Sequence, residues 1–485
     1  MLRLVHVLYG LQLESTRAIP QIAPAWQDRA FAMVASDPQA VTLDGLYVGA
    51  GGADLAEAVA RGAAGSLAQP TDIIGHQEVL AHTGRPWAVI EPAQSEVLAT
   101  LDLATFLIIA VDDLLMALQR LAVYHRRQLA PTVVGITGSA SAASVTEVAA
   151  ALIGRHFRTL TNRLYTYTEA SIPLALLKLT SEHEVALLEL GTGGLSELHF
   201  AAQLAQPQLG LVCGIGPAQL EPGRNLDLAV QAATALLESL PAHGTAILNI
   251  DDPAVAALAS HTSAQVLRYG LSPSADIWAD EIVSHGLNGI AFRLHTADET
   301  LKLHLPLFGH TSVHVALAAI ACGRALGLGW EAIVAGLTPS DAQLRLLVSI
   351  GPHGAQLIDD TYEASTESTI AALQLLESLE GRPIVLLGEV IEPDMADESI
   401  NRMVGLRAAE AATMLICIGD QARGLAEAAL AAGMPAQQVY MLAEPTQAIS
   451  LLDSLLTSTD YLLVKGSREL APIVAALQRN PEEAK

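Results

Sequence analysis

Gly135-Ile-Thr-Gly-Ser-Ala-Ser-Ala-Ala-Ser-Val-Thr-Glu147 is built like a phosphate-binding loop and contains no lysine. Ahead of it, Pro131-Thr-Val-Val-Gly-Ile136 reads as a buried strand, and Val145 to Ile153 behind it reads as an alanine-rich helix. A turn of small residues from strand to helix aims free backbone N–H groups and the positive end of the helix dipole at one point, which suits a phosphate. A nucleotide-hydrolysing loop needs Gly-Lys-Ser/Thr as well, with the lysine on the terminal phosphates and the hydroxyl on magnesium. Those three positions are held by Ser141, Ala142 and Ala143, while Thr137, Gly138, Ser139 and Ser144 complete the remnant of the loop. No neighbouring lysine offers a repair, because lysine occurs only at 178, 302, 465 and 485.

Composition narrows the class. A chain of 485 residues has room for two to four domains, and 51% hydrophobic against 16% charged residues describes packed globular cores. The net charge of −25 repels nucleic acid and anionic lipid, so neither is an expected partner. Cys213, Cys322 and Cys417 are scattered through apolar runs and fit neither a disulfide framework nor a zinc site; they read as buried thiols of a reducing compartment. The apolar start Met1–Gly10 is short and lacks a cleavage pattern, and the run Phe106–Leu118 is interrupted by Asp112-Asp113. No membrane insertion is expected, and the expected location is the cytoplasm.

Outward from the loop, residues 131–338 alternate apolar strands (Val133–Ile136, Val185–Leu190, Leu209–Gly214, Ala246–Ile250) with helical segments. That pattern predicts a parallel sheet covered on both faces. Residues 339–485 repeat the theme with Pro383–Gly388, Thr413–Gly419, Gln438–Leu442 and Tyr461–Lys465, and Pro339–Gln343 reads as the hinge between the two. Residues 1–130 mix short strands, such as Leu46–Gly49 and Leu107–Val111, with an alanine-rich helix ending at Arg61-Gly62. The expectation is a three-domain α/β protein.

Taken together and in order, Thr137-Gly-Ser139, Val185–Gly191, Asn249-Ile-Asp-Asp-Pro253, Gly309–Ala319, Ile358–Tyr362 and Val464-Lys-Gly-Ser-Arg468 resemble the Mur ligases of peptidoglycan synthesis, on the branch that adds D-alanyl-D-alanine. The resemblance runs through nearly the whole chain. It implies an N-terminal domain of UDP-substrate type (1–130), a central P-loop-type ATPase domain (131–338) and a Rossmann-like C-terminal domain (339–485). The family activates a carboxylate as an acyl phosphate with ATP and Mg²⁺, then attacks it with an amine. By resemblance, Glu189 is a magnesium-binding and catalytic position, Arg345, Asp360 and Lys465 are catalytic positions, and Asn249, Asp252 and Ser312 lie on the nucleotide side.

Other positions depart from the family. Its loop lysine becomes Ala142, its paired asparagines become Tyr167-Thr168, and its Ala-His-Leu becomes Ala218-Gln219-Leu220. Many members carry a carbamylated lysine in the helix corresponding to 228–240, yet no lysine lies between 179 and 301. The adenine-side asparagines become Ser312 and Val315, and Asp37-Pro38-Gln39 replaces the Asp-Ser-Arg of the N-terminal domain.

Phosphoryl transfer is catalysed mainly by positive charge placed where negative charge develops, and losing one preorganised group costs about 3–4 kcal/mol of transition-state stabilisation. Arg155 or Arg163 is a candidate substitute, though a planar guanidinium does not reproduce a compact ammonium in a tight loop. His310 and His314 have metal-ligand spacing, against a solvated or capping role. The expected function is therefore that of a degenerate Mur-ligase-like chain, non-catalytic and acting by binding. Its partner would be an active Mur ligase, another cell-wall enzyme or a precursor, and no cofactor is assigned. The alternative is an active ATP- and Mg²⁺-dependent amide ligase with a rebuilt nucleotide site, adding an amino acid or dipeptide to a UDP-muramyl-peptide-like substrate. A third reading is an anion-binding domain that uses only the bare helix N-terminus at Ser139–Ser144.

Overall fold

The computed structural model describes the chain except residues 1, 13–21, 50, 94, 139–140, 163–168, 191–194, 216–225, 287–288, 308–311, 338–346, 362–365, 378, 380, 389, 391–396 and 480–485. Two compact units divide it, one of residues 1–135, 157–210 and 238–241, the other of 136–156, 211–237 and 242–485.

In the first unit, short apolar strands build a five-stranded parallel sheet in the order Val34–Ala35, Leu46–Val48, Gly65–Ala68, Phe106–Ala110, Trp87–Ile90. Leu55, Leu80, Tyr47, Phe106 and Ile108 form one core against it. Helix Leu114–Arg127 starts where the Asp113 carboxylate accepts the Met116 N–H at 2.7 Å and ends on His125, Arg126 and Arg127, so charge complements both ends of its dipole. The same unit holds the parallel pair Thr159–Thr161 and Val185–Glu189. Thr132 N–H donates to Glu184 O at 2.8 Å, and Gln208 N–H donates to Val133 O at 2.9 Å. These bonds tie the start of strand Thr132–Thr137 to the chain on either side of it.

In the second unit, Thr245–Asn249, Gln265–Gly270 and Ile277–Ser284 run parallel, and Ile290–His295 and Thr300–Leu305 continue the sheet antiparallel. The alternation of periodic strands and helices predicted a parallel sheet only. The antiparallel strands alternate apolar and polar residues, as suits a sheet with one face in water. Helix Ser141–Ile153 packs on helix Ser312–Ala325, where Gly323 admits the Leu152 side chain.

The last part of this unit is a six-stranded sheet ordered Leu347–Ile350, Gln356–Asp360, Asp460–Lys465, Arg382–Leu387, Met414–Ile418, Val439–Leu442. All neighbours are parallel except the first pair. Its apolar runs are buried on both faces, one under Leu373, Val404 and Leu425 and the other under Leu452, Ile473 and Leu477. No helix among the described residues is long and apolar enough to cross a membrane.

Candidate active site

Strand Thr132–Thr137 delivers the loop, and the helix behind it starts at Ser141, four residues earlier than the periodicity predicted. Ala142, Ala143 and Ser144 therefore sit in its first turn. Gly138 has φ of 140°, and a Cβ there would lie 2.9 Å from both the backbone N and the Cβ of Cys213. Only glycine fits that approach. Cys213 N–H donates to Thr137 O at 2.9 Å, which fixes the loop's entry. Ala142, at the position where the family resemblance expects a lysine, is buried, 3% exposed. Ser139 lies outside the described residues.

The turn after strand Thr245–Asn249 is an acidic knot. Asn249 donates its side-chain N–H to Cys213 O at 2.9 Å and accepts from Asp251 N at 3.1 Å. Asp252 caps helix Pro253–Ala257: one carboxylate oxygen accepts from Ala254 N at 2.8 Å, and the other accepts from Ile215 N at 2.6 Å. Both oxygens are thus engaged by backbone. Asp251 accepts from Leu271 N at 2.6 Å and pairs with His314 Nε2 at 2.7 Å. This contact holds His314 against the strand end as a hydrogen-bond partner of Asp251, while His310 lies outside the described residues. Ser312, the first residue of the same helix, is buried. Beneath the knot the Tyr269 hydroxyl is held well above its usual titration range, first by burial and then by Cys213, Asp251 and Asp252.

In the first unit, Glu189 ends its strand buried, 9% exposed. Asn162 zips to its backbone, donating Nδ2–H to Glu189 O and accepting from Glu189 N, each at 2.8 Å. An amide side chain here imitates one more residue of strand. The sequence reading did not single out Asn162; a lone amide just past a short strand was its only signal.

Asp360 and Lys465 are directly paired in register at the C-terminal ends of neighbouring parallel strands. Lys465 Nζ lies 2.8 Å from Asp360 Oδ2, with side chains 2% and 7% exposed. The structure joins these two predicted residues. The third, Arg345, lies outside the described residues.

Among the described residues, Arg155 and Lys302 lie away from the loop. Arg155 donates to Ala335 O at 2.8 Å from the far end of the loop helix, about 20 Å from its start at 1.5 Å per residue. Arg163 lies outside the described residues. Lys302 is on strand Thr300–Leu305, four strand spacings or about 19 Å from strand Thr245–Asn249.

Residues 136–323 match the Mur ligase middle domain, and residues 345–468 match the Mur ligase, glutamate ligase domain. A UDP-N-acetylmuramoyl-tripeptide–D-alanyl-D-alanine ligase of Escherichia coli is 32% identical over 383 residues, covering 76% of this chain and 82% of the relative. The chain belongs to the Mur ligase family. A Mur ligase of the same name from Mycobacterium tuberculosis is 28% identical, covering 73% of this chain and 74% of that one. Among solved structures, MurF from Acinetobacter baumannii superposes with a TM-score of 0.76 at 23% identity, covering 96% of this chain and 97% of that one. The three-domain Mur ligase architecture with its central P-loop-type sheet and Rossmann-like C-terminal domain is therefore the fold of this protein.

Proposed function

We propose that this Mur ligase acts by binding rather than by ATP-driven ligation, engaging an active Mur ligase, another cell-wall enzyme or a peptidoglycan precursor. The observation that carries the reading is Ala142: a buried methyl group stands in the first turn of the loop helix, where phosphoryl transfer needs an ammonium. Among the described residues, three groups considered for ATP·Mg²⁺ are engaged elsewhere. Arg155 is spent at the far end of the helix, and Lys465 is paired with Asp360. Asp252 has both carboxylate oxygens taken up by backbone N–H groups. On this reading Asp360, Lys465, Asn249 and Asp252 persist because they hold strand ends and turns together.

The relatives' names supply the assay. Purified protein is incubated with ATP, Mg²⁺, UDP-N-acetylmuramoyl-tripeptide and D-alanyl-D-alanine, and ADP and amide product are followed. The proposal expects neither above background; turnover at rates typical of enzymes would overturn it.

The second reading is an active amide ligase with a rebuilt nucleotide site, and one observation favours it: Glu189, at the magnesium position of the family resemblance, is kept at a strand end and fixed by Asn162. Under that reading Glu189→Ala abolishes a measurable ligation.

A further inference from the structure

On one face of the six-stranded sheet, helix Asp397–Ala411 lies between helices Thr366–Glu377 and Arg423–Ala431. Its Ile400, Val404, Ala408 and Ala411 are buried against the sheet. On one flank Gly405 admits the neighbouring helix so closely that an added Cβ would lie 2.5 Å from Leu425 O. On the other flank Arg407 reaches Glu377, and it also holds Glu410 of its own helix at 2.8 Å. What remains is an outward stripe of Arg402, Met403, Leu406 and Glu410, all exposed.

A solitary exposed apolar residue is ordinary surface. Here Met403 and Leu406, 45% and 49% exposed, stand one turn apart, and Arg402 is beside them. Among the described residues no carboxylate pairs with Arg402. Methionine and arginine are both enriched in protein interfaces. The spacing of the charges names the occupant. Arg402, Leu406 and Glu410 follow at intervals of four residues, so the two charges sit about 6 Å to either side of Leu406 along the helix. A second copy of the helix, laid antiparallel about a two-fold axis at Leu406, puts leucine on leucine and each arginine beside the opposite carboxylate. A parallel pair would set Arg402 against its own counterpart. The stripe is thus complementary to itself, as an isologous contact requires. Repulsion between two chains of net charge −25 is screened beyond about 8 Å at physiological salt, which leaves the local contacts to decide.

We propose that this stripe docks a second copy of the chain, forming a weak antiparallel two-fold dimer through helix Asp397–Ala411. One helix pair buries less than a standard interface, so the dimer forms at protein concentrations of roughly ten to a hundred micromolar. The contact does not depend on whether the chain ligates.

The test is sedimentation velocity of the full chain over that range at about 0.15 M salt. The average mass should climb from 50.8 kDa towards twice that value, and Leu406→Asp should remain monomeric. Arg402→Glu and Glu410→Arg each place like charges opposite one another, so each variant alone is expected to associate at least tenfold more weakly. Mixed in equal amounts, the two variants should regain the association, because in the mixed dimer every glutamate of the stripe meets an arginine. A folding defect cannot produce that recovery. A native chain that stays monomeric throughout, a dimer indifferent to Leu406→Asp, or a mixture no better than its components would overturn the proposal.

Discussion

Lys465→Met would strand a carboxylate. Asp360 is 5% exposed as a residue, and its Oδ2 lies 2.8 Å from the ammonium that the substitution removes. Breaking one half of a buried ion pair costs about 3–5 kcal/mol, most of it the desolvation of the charge left behind. The two residues face each other across adjacent strands, and Lys465 also pairs in register with Leu387. The loss therefore falls on the centre of the six-stranded sheet. For a cooperative unit of this size, about 2–4 °C of melting temperature accompanies each kcal/mol, so the transition should fall by roughly 10 °C. The assay is thermal and urea unfolding of the full chain, with Lys465→Met, Asp360→Asn and the double variant. A neutral pair of similar shape should recover at least half of the loss, because it leaves no buried charge. A single-variant loss below about 1 kcal/mol, or a double variant no better than Lys465→Met, would refute the view that this pair chiefly holds the strands.

Other consequences are equally direct. Asp252→Ala removes a helix cap and leaves Ile215 N–H without its carboxylate partner, so urea unfolding should show a loss of about 2–4 kcal/mol; a loss within error would contradict the knot. Asn162→Ala unzips two bonds to the Glu189 backbone, and amide exchange at Glu189 should speed up at least tenfold, with unchanged exchange counting against the strand-mimic role. The Asp280 carboxyl is held down to about 2, first by the Arg293 hydrogen bond and then by that of His295. A depressed carboxylate pKa contributes stability that is complete above its unfolded pKa of about 4 and is lost as pH falls through about 2. Carboxyl ¹³C titration should therefore place the Asp280 midpoint near that value and move it upward in Arg293→Ala, and an ordinary midpoint in the unmutated chain would be contrary.

Several strands flanked by a neighbour on either side were legible because they are continuous apolar runs. Val185–Glu189, Met414–Ile418 and Asp460–Lys465 each lie within a predicted run or differ from it by a residue. The antiparallel strands were not legible, because Ile290–His295 and Thr300–Leu305 alternate polar and apolar residues in a chain otherwise read for buried parallel strands. The loop was legible as a glycine turn between strand and helix, but its helix begins at Ser141 because tertiary packing stabilises a first turn that alanine and serine alone do not mark. Pairings between distant residues lay beyond reach. Nothing local joins Asp251 to His314 or Asn162 to Glu189, since one pair links a turn to a helix and the other two strand ends, and each meets only in the folded chain.

The central claim, that the loop has lost its grip on nucleotide phosphates, is tested most directly by calorimetric titration of ATP with Mg²⁺ into the purified chain. The companion titration uses the variant Ser141→Gly, Ala142→Lys, Ala143→Thr. The account predicts no saturable heat for the native protein, whether or not the variant gains any. Micromolar binding by the native chain would contradict it and would mean that another group supplies the charge missing at Ala142.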